Sequence, residues 1–238
     1  MERAGAEVIA FPRRGRSAVP PLPAEIGDLR FRALAGEEAW ASLPEAVRER
    51  FGRHIGAGAS ILYAGEVVEC RMSRCGRLLA QLCRLIGAPL PLSCDAFVPA
   101  VVGVTEDPAS GGQFWTRLYG RRRGFPQVIR SAKRFCGPTG LEEYIGRGIG
   151  IALSLQVADG ALHFLSDHYF LSALGFRLRL PRWLSPGRMR VSHIDCGHGS
   201  FAFVLRLDHP RLGELVCQTA MFEERRASGE DGTAGRPR

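Results

Sequence analysis

The chain has 238 residues, of which 45% are hydrophobic, 24% charged and 8% aromatic, and its formal net charge is +8. That balance argues against a disordered, collagen-like or membrane-spanning protein, and the length suffices to bury a core without disulfide staples. Lys133 is the only lysine, so arginine carries the basic excess.

Residues 1–38, with Pro12, Pro20, Pro21 and Pro23 and little periodicity, read as a flexible N-terminal arm. Ser42 followed three residues later by Glu45 forms a capping-box pattern, and Leu43, Val47 and Phe51 then share one helical face. An apolar run over 60–70 is strand-like. Leu78, Leu79, Leu82, Cys83, Leu85 and Ile86 recur at helical spacing until Gly87 and Pro89 stop the helix.

From Cys94 onward the period changes to two, with turn residues at short intervals. Strands are predicted over 96–105, 113–119, 125–135, 149–157, 161–170, 188–195, 200–208 and 214–222. Asp159-Gly160 is the clearest hairpin turn, since that pair suits the tight type I′ geometry matched to strand twist. The fold class is therefore α+β: a large curved antiparallel sheet, a meander or half-barrel, with one or two helices packed near its N-terminal side. A single domain is predicted over 39–224, followed by a disordered tail over 225–238.

The charge is unevenly placed. Residues 117–134 hold seven basic residues without an acid, and 177–190 hold five, again without an acid. Lying side by side, they would form one positive face able to meet an anionic membrane or nucleic acid. Nucleic acid is the less favoured partner, because Phe125, Phe135, Phe176 and Trp183 suit a core as well as a stacking platform. In a strand, Trp115 and Arg117 point the same way, which places a guanidinium near an indole.

Other chemistry finds little support. His193, Asp195, Cys196 and His198 crowd into six residues, but strand alternation splits them and no second cluster completes a zinc shell, so no metal site is expected. There is no Gly-x-Ser-x-Gly elbow, and Gly146-Arg147-Gly148-Ile149-Gly150 precedes a strand instead of opening a phosphate-binding helix. Nothing identifies a cofactor. Seven scattered cysteines without an export-type leader suggest reduced thiols and a cytoplasmic protein. The longest apolar stretch, 85–105, is broken by Pro89, Pro91, Asp95 and Pro99, so no transmembrane segment is expected.

An ordered set of short motifs runs through the middle of the chain. It comprises Val67-Val68-Glu69, Leu85-Ile86-Gly87 with Pro91, Trp115-x-Arg117, Phe125 with Ser131, and Arg134-Phe135-x-Gly137. It continues with Asp159-Gly160-x-Leu162, Leu180-Pro181-x-x-Leu184-x-Pro186, Phe201-x-Phe203 and His209-Pro210-x-x-Gly213. Over 43–223 this order resembles the bacterial domain of unknown function 4166 family. The resemblance implies a domain that in some relatives is fused to a saccharopine-dehydrogenase-like or short-chain-reductase-like dinucleotide-binding domain, and it implies no catalytic residue.

Three functional expectations follow. The first is a non-catalytic domain that binds an apolar or amphipathic, anionic small ligand inside the curved sheet, with Trp115, Arg117, Arg130 and His193 as polar contacts. The second is an enzyme or accessory acting with a separately encoded NAD(P)-type reductase, marked by a titratable pair such as His193 with a carboxylate. The third is peripheral attachment to anionic membrane or nucleic acid through 117–134 and 177–190.

Overall fold

The computed structural model describes residues 28–56, 59–173 and 176–223. The greater part of the expected arm and all of the expected tail lie outside the described residues. Three short helices come first: α1 (Arg30–Ala35), α2 (Glu37–Ala41) and α3 (Glu45–Gly52). Phe31 of α1 and Val47 of α3 are fully buried, and Trp40, Leu43 and Phe51 are buried with them. The capping box does not form. Ser42 closes α2, its hydroxyl donating to the Ala39 carbonyl at 2.7 Å, and α3 starts after Pro44 without a side-chain cap.

The strands are β1 (Ser60–Met72), β2 (Val98–Asp107), β3 (Gly112–Tyr119), β4 (Gln127–Arg134), β5 (Leu141–Gly146), β6 (Ile149–Ala158), β7 (Ala161–Ala173), β8 (Phe176–Arg179), β9 (Arg188–Gly197), β10 (Ser200–His209) and β11 (Gly213–Glu223). A fourth helix, α4 (Arg74–Leu82), follows β1 and runs on as a 3₁₀ turn over Cys83–Ile86. All strand pairs are antiparallel, in the order β6-β5-β4-β3-β2-β1-β11-β10-β9-β7-β8, and β6 also pairs with β7.

That last pairing closes the sheet on itself. The expected half-barrel is in fact a 10-strand barrel, with β8 lying outside the ring against the end of β7. Closure depends on β5, a strand that the periodicity does not predict, because it carries the ladder from β4 to β6. Closing the ring also removes most of the free edge that an open sheet would present. Asp159 and Gly160, at φ of 52° and 68°, make the predicted tight turn between β6 and β7.

One end of the barrel is plugged. Phe31 packs edge-on against Phe51 at 5.4 Å and Phe164 at 6.1 Å between ring centres, and this aromatic group joins α1 and α3 to the strands. The other end is spanned by a strap made of α4, the 3₁₀ turn and residues 87–92. Ser73 caps α4 by accepting from the Gly76 amide at 3.1 Å. Gly76 sits so close to β11 that a Cβ there would lie 2.0 Å from the Leu215 carbonyl oxygen. Farther along, the Gln127 side chain of β4 accepts from the Leu92 amide at 2.8 Å and donates to the Leu90 carbonyl at 2.8 Å. The strap is thus pinned at both sides of the mouth, to β11 and to β4.

Candidate functional site

Alternation along the strands decides what faces the lumen. Val102 of β2 pairs with Arg117, and Arg117 pairs in turn with Ile129 of β4; Trp115 pairs with Ser131, and Lys133 with Glu143. Arg117, Trp115, Ser131, Lys133 and Glu143 therefore all point inward. Beneath the strap lies a cavity of about 120 Å³. Its walls include Tyr119, Ile129, Ile151, Tyr169, Met189, Phe203 and Leu205, and the strap contributes Cys83, Pro89 and Leu90. Polar groups enter chiefly at the floor, where Arg117, Ser131 and Glu143 line it.

These floor residues converge on one atom. Glu143 Oε1 accepts from the Ser131 hydroxyl at 2.6 Å and from Arg117 Nη2 at 3.3 Å, and Lys133 Nζ lies 3.2 Å away. Arg117 Nη1 also donates to Ser131 Oγ at 3.1 Å. Lys133 is only 4% exposed, its ammonium 4.4 Å from the centre of the Trp115 ring and 5.4 Å from that of Phe164. Trp115 donates its indole N–H to Gln113 at 3.1 Å.

The charges do not balance: two cations share one carboxylate. Burial alone would raise the Glu143 pKa, but Lys133, Arg117 and the Ser131 hydroxyl outweigh it and hold the pKa at about 2. Burial pushes Lys133 down to about 8; Glu143 pulls the other way and Arg117 adds to the lowering. The floor therefore carries an excess of positive charge beside an apolar chamber.

A second, smaller cavity of about 20 Å³ lies toward the plugged end, between Arg50, Phe51, Trp115, His193 and Phe203. His193 is buried, stacked on Phe201 at 4.8 Å and edge-on to Phe51 at 5.0 Å, with no hydrogen-bond partner for Nδ1 among the described residues. Burial first, and the Arg50 charge second, lower its pKa to about 3, so it is neutral. Arg50 is held by Asp195 at 3.1 Å.

Three of the four residues predicted for the site, Trp115, Arg117 and His193, face the lumen, but not one common chamber: Arg117 lines the larger cavity, while Trp115 and His193 line the smaller. Arg130 is one residue out of phase with Ile129; it pairs with Thr116 and is exposed, yet it also borders the larger cavity. The titratable pair of opposed environments is Lys133 with Glu143 and not His193 with a carboxylate. Ser131, Lys133 and Glu143 were missed, though Ser131 and Lys133 are in phase with Ile129 on β4. The basic stretches are divided: Arg117 and Lys133 turn inward and Arg177 covers the buried Glu142, whereas Arg121, Arg122, Arg123 and Arg182 are exposed.

A family model described as Domain of unknown function (DUF4166) matches residues 43–222. The chain belongs to this family. The DUF4166 match spans α3, α4 and the whole barrel, and leaves α1 and α2 outside it. No curated protein and no solved structure matches the chain. Among the described residues, no helix is long and apolar enough to cross a membrane.

Proposed function

We propose that this DUF4166 barrel binds a small amphipathic molecule, with its anionic group at Arg117, to which Lys133 adds charge from behind the cavity floor, and its apolar part against Ile151, Phe203 and Leu205. The observation that carries this reading is the uncompensated positive charge at the floor of an otherwise apolar cavity. Buried charge without a matching counter-charge is costly, and a carboxylate or phosphate arriving from the cavity would relieve that cost. Arg117 suits the role because a guanidinium presents several fixed donors, only some of which Ser131 and Glu143 occupy.

The chamber's size sets the scale of the apolar part. A cavity of about 120 Å³ holds a group near the size of benzene. A longer chain would leave past Tyr169 and Met189, which border both this cavity and an outer groove. That passage lies where β7 parts from β9: their pairing ends at Leu165–Arg190, and beyond it β7 pairs with β8.

Calorimetric titration with a short aryl or alkyl carboxylic acid and with the alcohol of the same shape tests this. The acid should bind on the order of tenfold tighter, and Arg117→Met should remove the preference. Equal affinity for acid and alcohol, or no binding of either, would sink the proposal.

A further inference from the structure

The strapped end of the barrel has an outer surface that ligand binding does not explain. Helix α4 turns Gly76 and Ala80 inward, while its Leu78 and Leu82, with Leu85 of the following 3₁₀ turn, stand exposed at a spacing of four and then three residues. Leu85 is 71% exposed. Strand direction brings two further segments to the same end: the β3–β4 connection and the β7–β9 connection that contains β8. The first presents Phe125 at 91% exposure, and the second presents Phe176 at 79% and Trp183 at 80%. Large apolar side chains thus ring the mouth on three separate segments, whereas an ordinary soluble surface shows them singly.

Arginines stand between them. Arg84 on the strap, Arg121 and Arg123 beside Phe125, and Arg182 beside Trp183 are all exposed. The acids at this end mostly have a partner. Asp95 accepts from the Arg122 amide at 3.2 Å, Asp167 is bound by His168 at 2.6 Å, Glu214 lies 3.4 Å from Arg71, and Asp208 faces Arg188 across the β9–β10 ladder. Arginines therefore outnumber acids around the mouth.

We infer that this end of the barrel docks on the surface of an anionic bilayer. Phe125, Trp183, Phe176 and the leucine row enter the interfacial layer, and the arginines meet lipid phosphates. Aromatic and leucine side chains favour that depth, and each cation near an anionic surface adds attraction that salt screens. Guanidinium forks fit phosphate oxygens better than ammonium groups do, in keeping with an all-arginine rim. Nucleic acid also answers to arginine and exposed rings, but it has no use for three exposed leucines on the outside of a helix. Docked in this way, the strap and the gap between β7 and β9 would face the membrane, so an amphipathic ligand could pass between bilayer and cavity.

The test uses the full chain with vesicles of phosphatidylcholine alone or with about a third phosphatidylserine. Trp40 and Trp115 are buried, so Trp183 is the exposed tryptophan of the described residues, and lipids brominated on their acyl chains should quench it. Expected results are sedimentation with the anionic vesicles only, quenching that Trp183→Phe abolishes without abolishing sedimentation, and loss of binding as salt rises from about 0.05 to 0.5 M. Leu85→Asp combined with Phe125→Asp, both at exposed positions, should weaken binding on the order of tenfold with an unchanged melting temperature. Equal binding to neutral vesicles, binding without quenching, or an oligonucleotide that displaces the protein from vesicles at equal salt would each overturn the inference. Titration of the carboxylic acid without vesicles is a separate measurement, so failure here leaves the cavity reading intact, and the reverse holds as well.

Discussion

Replacing Lys133 by methionine probes the cavity floor through the pH dependence of stability. The amine titrates near 8 in the folded protein against an ordinary 10.5, which places a cost of about 3 kcal/mol on its charged form. A base whose folded pKa is depressed leaves the unfolded chain with more bound protons between the two values. Stability should therefore rise with pH from about 8 to 10.5, with the full penalty present below about 8. Methionine has a similar length and no proton to lose, so Lys133→Met should lack that rise. Burial raises the hydroxyl pKa values of Tyr119 and Tyr169, which affects the same alkaline range, but both proteins share that effect and it cancels in the difference. The assay is denaturant unfolding of wild type and variant in a buffer series across this range. The wild type should gain about 3 kcal/mol relative to the variant between pH 7 and pH 10.5. Parallel profiles would show that Lys133 is not held as a buried cation, and the charge argument for an anionic ligand would go with it. Saturating carboxylic acid should also flatten the wild-type rise, because a bound anion restores the amine's pKa.

Two further substitutions test the plugged end and the strap. His193 is lowered from 6.5 to about 3, so the unfolded chain takes up a proton that the folded chain refuses, and stability should fall as pH drops from about 6.5 toward 3. His193→Phe should remove most of that fall, a difference of about 4 kcal/mol by urea unfolding at the acid limit, while Glu143 contributes equally to both proteins below about pH 4.5; an unchanged acid limb would refute the buried, neutral imidazole. Gly76→Ala places a Cβ 2.0 Å from backbone that cannot turn aside, so α4 must lift from β11 at a cost of about 3 kcal/mol. A melting temperature equal to wild type would mean that the strap is not seated there.

Alternation made the inward orientation of Trp115, Arg117 and His193 readable, because in a half-buried strand a two-residue period assigns faces directly. It also carried Asp159-Gly160 to its hairpin. Barrel closure was not legible, and the reason is Glu142-Glu143. Two adjacent acids resemble a solvated turn, yet in β5 one points into the lumen to Lys133 and the other outward to Arg177, so both are buried by pairing. The two stretches of basic residues without acids were the available signal, since buried arginine and lysine require acids from elsewhere in the chain. Phe31 was missed because a helix of six residues shows too little periodicity to mark its buried face. In α4 the leucines read as a core stripe, but hydrophobic spacing gives a face without saying which side of a strap it covers.

The solitary lysine has a practical consequence as well as an electrostatic one. Reagents that modify primary amines find no surface lysine on this protein, so apart from the α-amino group they react only as the barrel interior becomes accessible to them. Labelling at Lys133 is thus a clock for access to the lumen, and isotope-labelled lysine would give a single side-chain resonance from beside the cavity floor. One probe could follow both access to the interior and the arrival of an anion.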